Sequence, residues 1–126
     1  MKIWTGSFIL CGHDNDAPPL DFLPQFTRGK RVIPFVGADF AKIQPTGNSI
    51  RAWSFGALHE FDTVEDAEDW VINLDETVPE QADVTVELED RVTQKTLPDC
   101  FIEFTVRGLA GSVVRVDWLL TFGAVS

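Results

Sequence analysis

The sequence predicts a mainly β fold of the α+β class. We expect an antiparallel β-sandwich or open barrel of six or seven strands with one flanking α-helix at about 64–77. Segments that alternate apolar and polar residues, the period of a half-buried strand, recur between residues 2 and 122. One segment, beginning at Thr63, instead has the apolar spacing of a helix face.

A chain of 126 residues is expected to form a single domain, 1–126. Its hydrophobic fraction of 44% is ordinary for a soluble globular protein. A domain of this size buries roughly two thirds of its unfolded surface, so it needs neither a metal nor a disulfide to fold. Cys11 and Cys100 lie in predicted strands and are expected to be buried thiols. No apolar run approaches the ~20 residues of a membrane span, so no membrane partner is expected.

The first third of the chain is predicted to hold two strands and a long loop. Lys2 to Cys11 alternates as a strand does. Residues 12–30 contain three prolines and two glycines, which indicates a long loop of a kind that is often functional or interface-forming. A short strand over 31–36 contains Pro34, which places it at a sheet edge or a bulge.

The middle of the chain reads as strand, helix and strand. Residues 48–61 alternate bulky and small side chains. Thr63 opens the helix, with Asp66 three positions on in a variant of the capping box. Pro79 ends it, and residues 83–89 alternate as the next strand.

The last two strands are predicted to form a hairpin. Residues 100–107 and 112–122 alternate, and the four residues from Gly108 to Gly111 fit the connecting loop. The core side of the final strand is predicted to hold Val114, Val116, Trp118, Leu120 and Phe122.

The net charge of −10 is unevenly distributed. Residues 1–58 carry six Lys or Arg and four Asp or Glu, whereas residues 59–126 carry four and sixteen. Between Ala52 and Asp90 there are thirteen acids and no Lys or Arg. Such a surface repels phosphate, so specific nucleic-acid binding is not expected. A solvated, solubilising face and a surface for a basic partner both remain open.

The charge split predicts an interface between copies of the chain. Arg28, Lys30 and Arg31 form the only basic cluster, and the predicted helix presents acids. A basic loop and an acidic helix on one small domain are complementary between copies, as a head-to-tail ring requires. The predicted oligomer-interface residues are Arg28, Lys30, Arg31, Glu65, Glu68 and Asp69. A plain exposed loop end and a phosphate contact remain as alternatives for the basic cluster.

No catalytic, cofactor-binding or metal-binding residues are predicted. His59-Glu60 lacks the second His that a zincin requires at position 63, which is Thr. His13 to Asp16 looks like the head of a calcium loop, but positions 18 and 19 are Pro. A looser metal site at Asp14 and Asp16 stays open, with turn formation as the default. No Gly-x-Ser-x-Gly elbow or Gly-rich phosphate loop is present.

The order of elements over about residues 31–123 resembles the small structural proteins of bacteriophage tails, which include tail tube subunits and distal tail proteins. The resemblance is carried by Arg-Val-Ile-Pro-Phe-Val-Gly-Ala-Asp-Phe at 31–40, the strand at 48–61, and Phe-Asp-Thr-Val-Glu-Asp-Ala at 61–67. A strand and a closing hairpin follow. The long loop at 12–30 has no counterpart in the pattern.

This resemblance implies a helix-flanked β-sandwich that assembles with its own copies and with other tail proteins. The assembly would be a ring, with a hexamer as one form, in the virion tail after assembly in the bacterial cytoplasm. It also implies no catalytic residues and an acidic lumen through which DNA slides without binding.

The predicted function is therefore that of a non-enzymatic structural protein of a phage tail or tail-like particle that self-assembles into rings or a tube. Two other functions remain as alternatives. One is a monomeric β-sandwich module that binds a small molecule or carbohydrate through exposed aromatics such as Trp4 and Trp53. The other is a small hydrolase that uses paired carboxylates. Oligomeric state separates the structural protein from the binding module.

Overall fold

A computed structural model describes residues 1–12, 18–34 and 41–123, and these residues form a mainly β structure, as predicted. The strands are β1 Lys2–Thr5, β2 Phe8–Cys11, β3 Leu20–Pro34, β4 Ala41–Glu60, β5 Gln81–Glu87, β6 Gln94–Ala110 and β7 Val113–Phe122. The helices are α1 Val64–Ile72 and α2 Leu74–Thr77.

All seven strands belong to one antiparallel sheet in the order β2-β1-β5-β6-β7-β4-β3. β2, at one edge, also contacts β4, which lies near the other edge. The ring of Phe8 in β2 lies 5.8 Å from the ring of Trp118 in β7. The sheet therefore curls around its apolar face.

The core lies on the inner face of this curled sheet. β7 is hydrogen-bonded on both sides, to β4 and to β6, so its alternate residues sit at the centre of the fold. The residues predicted for its core side are all buried: Val114, Val116, Trp118, Leu120 and Phe122. Strict alternation is informative here because one face of the strand meets the core and the other meets solvent.

The predicted helix at 64–77 is in fact two short helices. Thr63 caps α1, since its side-chain oxygen accepts a hydrogen bond from the backbone N–H of Asp66 at 3.1 Å. Asn73 leaves the helical conformation with φ −93° and ψ 5°. Its side-chain amide donates to the carbonyl of Asp69 at 3.0 Å, in competition with the helical backbone. Neither α1 nor α2, the helices of the described residues, is long and apolar enough to cross a membrane.

The predicted first strand, Lys2 to Cys11, is a hairpin of β1 and β2. Gly6, with φ +57°, supplies the left-handed conformation that the tight turn needs. The turn changes the inward positions from Ile3 and Thr5 in β1 to Leu10 and Cys11 in β2, and the prediction of one continuous strand missed this change. The predicted loop between Gly108 and Gly111 is also shorter, since β6 continues to Ala110.

The predicted long loop at 12–30 is wrong over residues 20–30, which belong to β3. Proline does not exclude a strand there because β3 is an edge strand and needs only one hydrogen-bonded side. Of the short strands predicted at 31–36 and 48–61, residues 31–34 belong to β3 and residues 48–60 belong to β4. Residues 13–17 and 35–40 lie outside the described residues, and with them the looser metal site that the sequence leaves open at Asp14 and Asp16.

Leu119 and Leu120 test the assignment of the two sheet faces. Leu120 is buried, whereas Leu119 is 37% exposed. We expect Leu120→Ala to lower the free energy of unfolding by about 2–5 kcal/mol, because it leaves a cavity in the core. The control, Leu119→Ala, should lower it by less than about 1 kcal/mol. Urea unfolding followed by Trp fluorescence measures both, and equal losses would show that the faces are misassigned.

Cys11 and Cys100 are both buried thiols, as predicted. Burial raises the pKa of the Cys100 thiol to about 11, against an ordinary value of 9.0. Since the thiolate is the reactive form, we expect Cys100 to react very slowly with a disulfide reagent at about pH 8 in the folded protein and rapidly after unfolding. The Cys11→Ser variant isolates the Cys100 signal. Rapid reaction of that variant in its folded state would contradict the burial of Cys100.

Candidate assembly interface

Part of the β3–β4 hairpin extends beyond the sheet. β4 pairs with β7 only from Arg51 to Glu60, whereas its residues 41–50 pair with β3 alone. We call residues 27–34 and 41–50 the arm. The shorter strand contributes eight residues to the arm, so at roughly 3.3 Å per residue the arm extends about 25 Å past the end of β7. Among the strands that the structure describes, no third strand lies beside the arm, which is thus a two-stranded ribbon.

The arm is basic and the rest of the chain is acidic. Arg28, Lys30, Arg31 and Lys42 lie on the arm, which has no acidic residue, so it carries a charge of +4. The other described residues carry six Lys or Arg against seventeen Asp or Glu, a balance of −11, and Asp39 belongs to residues 35–40, which join the two strands of the arm in sequence. The four basic side chains of the arm are exposed. The molecule therefore separates its charge between one projection and the body.

The outer part of the arm is also amphipathic. Val32 pairs directly with Ile43, and the two side chains are 53% and 64% exposed. Arg31 pairs with Gln44, one position along, and therefore lies on the opposite face, which Lys42 shares. An isolated two-stranded hairpin is marginally stable in water. An exposed apolar pair on such a ribbon is a surface that gains stability when it is covered.

Aromatic packing fixes the root of the arm to the core. The Phe22 ring lies 5.2 Å from Trp53 and 6.1 Å from Phe55. Trp53 in turn lies 5.1 Å from Phe122 at the end of β7. Asp21, at a bulge with φ +52°, lies 3.4 Å from the guanidinium of Arg115. The body therefore sets the direction in which the arm leaves the sheet.

The opposite end of β4 leads into a groove of about 480 Å³ beside α1. We call it the acidic groove, and its lining residues are Glu60, Phe61, Asp62, Asp66, Asp69, Trp70, Asn73 and Thr77. The rings of Phe61 and Trp70 are 5.3 Å apart and supply its apolar part. Among the described residues, no Lys or Arg forms an ion pair with the four carboxylates of this groove.

The structure places the predicted interface residues at the two ends of β4. Arg28, Lys30 and Arg31 are exposed on the arm, and Glu65, Glu68 and Asp69 are exposed on α1. Arg51, at the root of the arm, and Glu60, at the groove, are separated by roughly 30 Å along the strand. The two sets do not meet within one chain.

Sequence reasoning missed Lys42 on the arm, and it missed Glu60, Asp62 and Asp66 in the groove. Lys42 could have been found from the alternation at residues 41–44, which lie between the strands predicted at 31–36 and 48–61. The groove carboxylates could be recognised only from the contact of the strand end with α1.

His59 and Glu60 do not form a metal site. His59 is buried with its ring 4.7 Å from that of Trp70, whereas Glu60 is exposed, so the two side chains point to opposite faces of β4. Within the described ranges, no group of three or more His, Cys, Asp or Glu is placed to hold a metal ion.

The aromatics proposed for ligand binding lie apart. Trp53 packs in the aromatic cluster at the root of the arm, and Trp4 lies on β1 with the Lys2 ammonium 4.9 Å from its ring. β5, β6 and β7 separate β1 from β4 in the sheet. Trp4 and Trp53 therefore do not line one common groove.

A cleft of about 490 Å³ on the sheet is lined by two arginines and three acidic residues. In it Arg107 donates to Asp117 at 2.6 Å, and Arg115 donates to the same carboxylate at 3.4 Å. A Cβ at Gly56 would lie 2.9 Å from the Arg115 guanidinium, so glycine leaves room for this arginine. These contacts tie β4, β6 and β7 together on their outer face.

Comparison with known proteins gives structural similarity only. No protein-family model matches the chain, and no curated protein matches it. A chain in the tail of an empty gene transfer agent particle, determined with C6 symmetry, is 12% identical, with a TM-score of 0.48 over 86% of this chain and 80% of that chain. A chain in the virion of a native gene transfer agent particle is 13% identical, with a TM-score of 0.48 over 86% and 84%.

The arm should be the least protected part of the described sheet in the unassembled protein. We expect the backbone amides of Val32 and Ile43 to exchange hydrogen much faster than those of Val116 and Leu120, because a two-stranded ribbon opens without disrupting the core. Hydrogen exchange with mass spectrometry, at high salt and low protein concentration, measures this. Equal protection of the arm and β7 in a monomer would contradict the isolation of the arm.

Proposed function

We propose that the protein is a non-enzymatic structural subunit of a phage tail or tail-like particle, and that its copies self-assemble into rings or a tube. The observation that carries the proposal is the basic, amphipathic arm that projects from an acidic body. Other tail proteins would complete the particle, and a hexamer is one ring that this assembly can form. The protein would act in the virion tail after assembly in the bacterial cytoplasm.

Covering the arm supplies one driving force for assembly. Val32 and Ile43 are each more than half exposed. Complete burial of such a side chain stabilises a complex by about 1.5–3 kcal/mol. The contact must also offset the ordering of a marginal ribbon and the lost freedom of the subunits. Several arms acting together in a closed ring meet this requirement better than one pairwise contact does.

Charge supplies the direction of assembly. Two acidic bodies repel each other, whereas the arm of one copy is attracted to the body of the next. A contact between unlike surfaces is heterologous, so it produces a ring when the rotation closes and a filament when it does not. The same acidic body disfavours contact with phosphate, which suits a surface past which DNA moves without specific binding.

An arm-shortened variant tests the proposal. Arg28 and Ser49 pair directly, so an Asn-Gly turn can join them and remove residues 29–48. At about 50 mM salt we expect sedimentation velocity to show concentration-dependent oligomers for the wild type and a monomer for the variant, and about 500 mM salt should weaken wild-type assembly. A wild type that stays monomeric at low salt and high concentration, or a variant that assembles normally, would contradict the proposal.

A matched pair of charge variants controls for net charge. Arg31→Ser with Lys42→Ser removes two exposed cations from the arm, and Arg91→Asn with Lys95→Ser removes two from the body. Asn suits position 91 because Arg91 has φ +60°. We expect only the arm pair to weaken assembly. Circular dichroism and the urea midpoint establish that each variant is folded.

A further inference from the structure

We infer that the acidic groove is the receptor for the arm of a second copy, so that Arg and Lys side chains of that arm enter it. The inference rests on the proposed function and specifies its contact. It places the receiving carboxylates at Glu60, Asp62, Asp66 and Asp69, and not on the Glu65 and Glu68 side of α1.

The lining of the groove has the chemistry that a long cationic side chain requires. Four carboxylates supply acceptors, and two aromatic rings supply an apolar wall. The aliphatic stems of Lys and Arg pack against rings while their charged ends reach carboxylates, and a cation over a ring face adds further attraction. The exposed apolar pair of the arm lies on the opposite ribbon face from Arg31 and Lys42.

The carboxylates of the groove are available to an incoming cation. Among the described residues, their neighbours supply no Lys or Arg within ion-pair distance. Asp69 accepts only from a neutral donor, the Asn73 amide, at 3.2 Å. The sequence contains no Lys or Arg between Ala52 and Asp90, so no cation from the same segment competes for the groove.

The spacing of the groove residues defines one side of α1. Asp66 and Asp69 lie three residues apart within α1 and so share a helix face, and Asp62 and Asn73, which flank the helix, line the same groove. Glu65 and Glu68 do not line the groove. Two acidic faces of one helix can therefore be tested against each other with identical changes in charge.

The arm cannot reach the groove of its own chain. The root of the arm and the groove lie at opposite ends of the segment of β4 that pairs with β7, and the arm continues away from that segment. The contact is therefore between copies and heterologous, which is the geometry that the proposed function requires.

Charge reversal on the two faces tests the inference. The groove variant is Asp62→Lys with Asp69→Lys, and the matched control is Glu65→Lys with Glu68→Lys. We expect sedimentation equilibrium to show association at least about tenfold weaker for the groove variant, and within about threefold of wild type for the control. Equal weakening of both variants, or normal assembly of the groove variant, would overturn the inference.

Restoring association by mixing two charge-reversed variants provides a second test, because a folding defect in either variant would not be corrected by mixing. Arg31→Glu with Lys42→Glu should also weaken association, and mixing this arm variant with the groove variant should restore it, because each then offers a surface of reversed charge to the other. Failure of the mixture to associate would overturn the groove as receptor.

The experiments also distinguish the groove inference from the proposed function. If shortening the arm abolishes assembly while the groove variant assembles normally, the groove inference fails and the proposed function stands. If the wild type never assembles, both fail.

Discussion

The positions of both candidate contact surfaces depend on the length by which β4 extends beyond its pairing with β7. Ten residues of β4, from Arg51 to Glu60, pair with β7 and carry one face of the strand into the core. The ten residues before them have only β3 beside them. This one register fixes the arm at one end of the strand and brings the other end against α1. The apolar alternation of β7 thus decides where both candidate contact surfaces lie.

The separation of charge between the arm and the body favours contacts between chains over contacts within one chain. At physiological salt the Debye length is about 8 Å, so the arm, which extends farther than this, is partly screened from its own acidic body. Within one chain the arm gains little from the acids at the far end of β4. A second chain can bring its own groove to the arm directly. The electrostatic attraction between the basic arm and the acidic groove therefore acts between molecules and not within one.

The sequence predicts the body of this protein well and its projection poorly. The buried face of β7 and the Thr63 cap follow local rules, because periodicity and capping depend on near neighbours. The arm breaks those rules, since a ribbon without a core beneath it needs no strict alternation and tolerates Pro24 at its root. Asp69 was recognised as part of an acidic helix, but the groove it lines forms only where Phe61 and Trp70 meet. That contact depends on tertiary structure.

Zero-length cross-linking with a carbodiimide is the most direct test of the central claim, because it joins a lysine amine to a carboxylate only at contact distance. A mixture of ¹⁴N- and ¹⁵N-labelled protein distinguishes links within a chain from links between chains. We predict mixed-isotope peptides that join Lys42 to Glu60, Asp62, Asp66 or Asp69. Assemblies whose links never include Lys42, or include it only within one chain, would contradict it.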